Sequence, residues 1–192
     1  MAALTLNLSS IAKISRSQFR QIANDNPEMK LERDKQGNLI VMAPTGGETG
    51  NWNSELNLEV GLWNRTNQTG KTFDSSTGFE LPNGGDRSPD VAWIPLAKWE
   101  ALTPEERRGF LPLCPDFAIE LMSRSDSWVQ TQAKMAEYME SGCRLAWLLD
   151  PKGKRAVIYR LGQPPEFLNS PDSLSGEDVL PGFILDARFL WS

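Results

Sequence analysis

Residues 117–149 read FAIELMSRSDSWVQTQAKMAEYMESGCRLAWLL, and the order of elements within them decides the fold. Phe117–Met122 is an apolar stretch of strand length interrupted by one carboxylate, Glu120. Ser123–Ser127 is a polar connection in which Asp126 or Ser127 can cap a helix running to about Ser141, and Gly142 closes that helix. Leu145–Leu149 is a continuous apolar run, which suits a strand buried on both faces. Strand, helix and strand in this order form a βαβ crossover, so the two strands are expected to lie parallel. Asp150-Pro151-Lys152-Gly153 then supplies a turn, and Arg155–Arg160 is expected to return antiparallel, which makes the sheet mixed.

Working outward toward the N-terminus, three strand-like stretches stand before the helix: Lys71–Asp74 continuing through Gly78–Leu81, then Pro89–Ile94, then Phe117–Met122 itself. Pro95–Pro112 separates the last two as a surface insertion with short helical turns at Lys98–Leu102 and Pro104–Arg108. Ahead of them, Trp52, Leu56, Val60 and Trp63 recur at steps of three and four, predicting a helix from Thr49 to about Asn67 that ends at Gly70. The core order is therefore helix, three strands, helix, strand, an α/β (mixed α+β) class around a mixed central sheet. Further out, Ser15 precedes a short helix that stops before Pro27, and Leu31–Val41 reads as a hairpin turning over Asp34–Asn38. Met1–Ile14 is expected to be a mobile or strand-adding arm. The apolar residues of the tail are expected to pack across the core.

At 192 residues the chain supports one well-buried core, so a single domain over 1–192 is expected. Its parts are an N-terminal helix and hairpin extension over 1–48, a core over 49–160 and a packing segment over 161–192. No apolar run approaches the roughly 20 residues of a membrane span, and the first residues lack the pattern of a signal peptide. Cys114 and Cys143 are too few for a disulfide framework, which suggests a reduced, cytoplasmic setting.

Histidine is absent. That excludes Ser–His–Asp and Cys–His catalysis, His-ligated zinc and an imidazole base, leaving carboxylates, lysine, hydroxyls or a hard cation held by oxygen. The net charge of −5 and pI near 4.9 weigh against strong non-specific affinity for nucleic acid, without excluding a local basic patch.

Two strands carry a carboxylate where the pattern asks for an apolar residue. Alternation sets Asp90, Ala92 and Ile94 on one face of their strand, and Ala118, Glu120 and Met122 on one face of theirs. Each acid thus has a small alanine beside it. Two buried carboxylates at 4 Å repel by roughly 4 kcal/mol at a typical effective dielectric, a cost that a divalent cation or a positive side chain removes. From Glu120 to Arg124 an extended chain advances about 13 Å. From Asp126 to Lys134 a helix running back retreats about 12 Å. Lys134 therefore returns to the height of Glu120. A polar cap at Asp90, a structural Lys134–Glu120 bridge or a solvated Lys134 would satisfy the same pattern.

At these residues the chain resembles the PD-(D/E)XK nuclease superfamily, and more narrowly the Uma family, described as "putative restriction endonucleases". The similarity runs through Ala43–Asn51, Ser76–Phe79, Leu81–Gly84, Arg87–Asp90, Cys114–Phe117 with Ile119–Leu121, Lys134–Met135 with Glu137–Tyr138, and Leu148–Pro151. The resemblance implies a restriction-endonuclease-like core and a metal-dependent DNA endonuclease. Asp90 and Glu120 would ligate Mg²⁺ or Mn²⁺, the Leu121 carbonyl would add a ligand, and the protein would act as a homodimer on DNA. The lysine of the usual motif follows the Glu by two positions, where this chain has Met122, so Lys134 would be its migrated substitute. Arg124 stands where the family pattern suggests proline. Glu48, Gln132, Tyr138 and Arg124 are supporting candidates, with Glu55 and Glu59 weaker ones. The cations would polarise the scissile phosphate and lower the pKa of an attacking water, while Lys134 orients that water or stabilises transition-state charge. The competing readings are a catalytically silent nuclease fold serving as an interaction or DNA-binding module, and a metal-dependent hydrolase of a non-nucleic substrate.

Overall fold

In the computed structural model, which describes residues 3–6 and 13–191, the chain opens on a strand, β1 (Ala3–Leu6). The rest of the predicted arm before Lys13 lies outside the described residues. Ser15 caps α1 (Arg16–Asp25): its hydroxyl accepts the Gln18 N–H, and the Gln18 side chain accepts the Ser15 N–H. The hairpin forms as β2 (Lys30–Arg33) and β3 (Leu39–Met42), its turn held by the Asp34 carboxylate, which accepts the N–H groups of Gln36 and Asn38.

α2 (Gly47–Asn67) buries Leu56 and Val60 of the apolar stripe. It stops before Gly70, because Gln68 takes a left-handed conformation (φ 55°) and donates its N–H to the Asn64 carbonyl. Gly70 instead opens β4 (Gly70–Asp74), where a Cβ would collide with the Ile94 carbonyl and the Trp93 ring. Then come β5 (Phe79–Glu80), β6 (Asp86–Arg87) and β7 (Val91–Pro95). The short helices α3 (Leu96–Ala101) and α4 (Pro104–Arg108) make up the predicted insertion, followed by β8 (Phe117–Leu121). α5 (Trp128–Glu140), capped by Ser127, leads to β9 (Leu145–Asp150) and β10 (Arg155–Arg160). β11 (Glu166–Asn169), β12 (Ser173–Ser175), β13 (Ile184–Asp186) and a 3-10 turn at Arg188–Leu190 complete the chain.

The central sheet runs β11-β10-β9-β8-β7-β4, with β8 and β9 parallel as the crossover requires and every other neighbour antiparallel. A second sheet, β1-β3-β2-β6-β5, takes its strands from both ends of α2. This differs from the sequence expectation in two ways. The stretch 71–81 does not continue as one strand of the central sheet, because β5 and β6 leave it to pair with the hairpin. The hairpin is accordingly no appendage to the core: Arg33 of β2 pairs in register with Asp86 of β6.

The two faces of the central sheet bury different partners. Val91, Trp93, Phe117, Ile119 and Trp147 pack against α2 and the C-terminal segment through Leu180, Phe183 and Leu190. Ala92, Ile94, Ala118, Ala146 and Leu148 face α5 through Met135 and Tyr138. Alternation thus places Asp90, two residues before Ala92, and Glu120, between Ala118 and Met122, on the α5 side.

Candidate active site

Val91 lies opposite Ile119 in the β7–β8 ladder, so one further step sets Asp90 opposite Glu120. Both are buried. Asp90 Oδ2 accepts the Leu121 N–H at 2.9 Å, and the Asp90 carbonyl accepts from the Asn57 amide of α2 at 3.1 Å. These bonds fix the acid at the mouth of the strand pair. Lys134 reaches Glu120 as the return-distance argument predicts: its Nζ is 2.7 Å from Glu120 Oε1. Tyr138, one helical turn on, donates its hydroxyl to the same oxygen at 2.7 Å.

The side chains that complete the site come from the second sheet. Lys134 Nζ also donates to Glu32 Oε1 at 2.8 Å and to the Ser88 carbonyl at 3.4 Å. Glu32 accepts the Ser88 N–H at 3.0 Å and Arg87 Nη1 at 3.0 Å. The remaining guanidinium donors of Arg87 clasp both oxygens of Glu137 at 2.8 and 2.9 Å. A cavity of about 240 Å³ opens here, walled by Glu32, Asp90, Glu120, Leu121 and Lys134 among others.

Burial alone would raise Glu32, but the charges of Lys134 and Arg87 outweigh it and hold the carboxyl down at about 2. Burial also dominates at Glu120. There the charge of Lys134 opposes it only partly, Asp90 and Glu32 add repulsion, and the carboxyl is pushed up to about 7. Burial would lower Lys134, yet Glu120 and Glu32 overcome it and keep the ammonium charged above the ordinary lysine value. The site therefore holds one firmly ionised acid, one acid poised near neutrality and a locked cation.

The structure brings Asp90, Glu120, Lys134, Tyr138 and Leu121 together. It leaves the other candidates elsewhere. Glu48 and Arg124 meet each other at 3.4 Å on the exposed surface. Gln132 hydrogen-bonds Tyr159 rather than flanking Lys134, because two helical steps turn a side chain about 200°. Glu55 and Glu59 lie on the exposed face of α2, across the sheet from α5. Sequence pattern does not single out Glu32, Arg87 or Ser88, because the hairpin reads as an extension and the two-residue β6 carries no period. A usable signal was present for Glu32: β3 is the apolar run Leu-Ile-Val-Met, so the acid set opposite Ile40 needs buried partners.

The sequence pattern of the Uma2 family, described as "Putative restriction endonuclease", matches residues 16–188. No curated protein matches the chain. A solved structure described as "a putative nuclease belonging to DUF820", from Anabaena variabilis, superposes with a TM-score of 0.71 at 19% identity, covering 84% of this chain and 89% of that one. At that identity the likeness shows the fold. The family match spans nearly all of the chain, from α1 to the last turn: this protein belongs to the Uma2 family and has a nuclease-like α/β fold.

Proposed function

We propose that this protein is a divalent-cation-dependent DNA endonuclease whose site is Asp90, Glu120 and Lys134. The observation that carries the reading is the meeting of two strand-borne carboxylates and a helix-borne ammonium 2.7 Å from one of them, at the wall of a cavity. The donor chemistry fits Mg²⁺ or Mn²⁺: the two carboxylates and the Leu121 carbonyl are all oxygen, as a hard cation takes. No cluster of three His, Cys, Asp or Glu side chains that could hold a metal occurs among the described residues, so water and phosphate oxygens would complete the shell. When bound, the cation would supply Lewis acidity toward a phosphodiester oxygen and lower the pKa of water.

The chain's own groups do the rest. Asp90 is aimed by the Leu121 N–H and Glu120 by the Tyr138 hydroxyl. Lys134, held between Glu32 and Glu120, presents a fixed positive charge to the pentavalent phosphorus transition state without reorganising. Cutting both strands of a duplex calls for two such sites, so the reading includes a homodimer.

Purified protein incubated with supercoiled and single-stranded DNA and Mg²⁺ or Mn²⁺ tests this directly. Wild type is expected to cleave, and Asp90→Ala and Lys134→Ala to lose at least about a hundredfold in rate, the scale of one electrostatic catalytic group. Equal cleavage by all three proteins overturns the site. Sedimentation should give twice the 21.5 kDa of one chain.

Met122, standing where the usual motif has its lysine, and the net charge of −5 favour a second reading, a silent nuclease fold that serves as an interaction or DNA-binding module. Absence of cleavage together with absence of Mg²⁺ or Mn²⁺ binding by calorimetry would select it.

A further inference from the structure

Six carboxylate residues, Glu32, Asp34, Asp90, Glu120, Asp126 and Glu137, line the cavity, and the cations Lys134 and Arg87 are committed to three of them. Lys134 serves Glu32 and Glu120, and Arg87 serves Glu32 and Glu137. A phosphodiester entering this space meets carboxylates of its own sign, each worth roughly 4 kcal/mol of repulsion at 4 Å and a typical effective dielectric. Where Asp90 and Glu120 hold the divalent cation, the phosphate oxygens turned toward the remaining carboxylates call for a further cation with donors to spare.

Lys30 meets that requirement. Its ammonium is buried and has no hydrogen-bond partner among the described residues. It stands two residues before Glu32 on β2, so both side chains leave the same face of the strand. Its register partner on β3, Met42, lines the cavity, and its charge is felt by Asp90, Lys134, Glu32 and Glu120. Burial lowers its pKa, Asp90 opposes that, and Lys134 adds to it, as expected of an amine packed among charges without an acceptor of its own. A buried donor left unmade carries its full desolvation penalty, which the fold tolerates when a ligand completes the bond. The flexible four-carbon stem lets the ammonium move to meet an incoming oxygen.

Resting on the nuclease reading above, we propose that Lys30 is a phosphate-binding residue, its ammonium taking a non-bridging oxygen of the nucleic-acid backbone as that backbone enters the cavity. The N-terminal hairpin then contributes twice: Glu32 positions Lys134, and Lys30 holds the substrate.

The test compares duplex-oligonucleotide binding by wild type, Lys30→Met and Lys30→Arg at fixed Ca²⁺, over roughly 50–200 mM salt. Lys30→Met is expected to bind several-fold more weakly, with a plot of log affinity against log salt shallower by about 0.9, one phosphate contact. Lys30→Arg should restore that slope. The melting temperature of Lys30→Met should equal or exceed that of wild type, since an unpartnered buried amine has been removed. An unchanged slope in folded Lys30→Met overturns the proposal, and an unchanged slope with a lowered melting temperature assigns Lys30 to a structural ion pair. Lys30→Gln provides the same comparison if the methionine variant does not fold. Failure of wild type to bind any nucleic acid would instead sink the nuclease reading and this inference with it, a result distinct from a wild-type slope that the variant leaves unchanged.

Discussion

At the residue scale, the site depends on how one ammonium is shared between two acids with unequal support. Glu32 has Lys134, Arg87 and a backbone N–H, while Glu120 has Lys134 and a hydroxyl and faces Asp90. Their pKa values consequently part in opposite directions, to about 2 and about 7. The consequence for stability has opposite signs. A carboxyl whose folded pKa lies below its unfolded value stabilises the fold above the unfolded value, so the contribution of Glu32 is complete above pH 4.5 and is lost as pH falls toward 2. Glu120 favours the fold when protonated, and its contribution fades as pH rises from 4.5 through 7. Urea unfolding of wild type and Glu32→Gln between pH 6 and pH 2 should show wild type losing up to about 3 kcal/mol more than the variant on acidification. Parallel pH profiles would show that Glu32 is not held ionised by its partners.

At the element scale, two local features set where the chain turns. The Ser15 capping box starts α1, whose Arg16 and Arg20 reach the second sheet at Asp86 and Glu80. Ser15→Ala should cost about 1 kcal/mol in a denaturant titration, with little effect on the site. Gly70 lets β4 run flush against β7, where a methyl group would strike backbone as well as the Trp93 ring. Gly70→Ala should therefore be the costlier change, by roughly 1–3 kcal/mol, because neither the carbonyl nor the packed indole can give way freely. Equal midpoints for Gly70→Ala and wild type would mean that the β4–β7 approach is looser than described.

At the scale of the whole molecule, Arg87 ties the hairpin sheet to α5 by bonding Glu32 and Glu137 together. Arg87→Ala strips the buried Glu137 of its bidentate partner and leaves Glu32 with Lys134 and the Ser88 N–H, and a loss of roughly 3–5 kcal/mol is expected by chemical denaturation. The βαβ crossover of 117–149, the parallel pairing of β8 with β9 and the placing of Asp90 and Glu120 each with the alanine of its own strand were all legible in the residues, whereas the β7–β8 register that sets the two acids side by side was not. Each legible feature follows from local periodicity, and periodicity is written in neighbouring residues. The reach of Lys134 to Glu120 was legible for the same reason, since rise per residue converts directly into distance. The departure of β5 and β6 from the central sheet was not legible, nor was the entry of Glu32 and Arg87 into the site. Two-residue strands carry too little pattern to choose a partner, and β2 meets β6 across more than 50 residues of chain, where only packing selects the pairing. Which charges are buried together follows from packing across the two sheets, because the burial of Glu32 and Lys134 is tolerable only once each has the other.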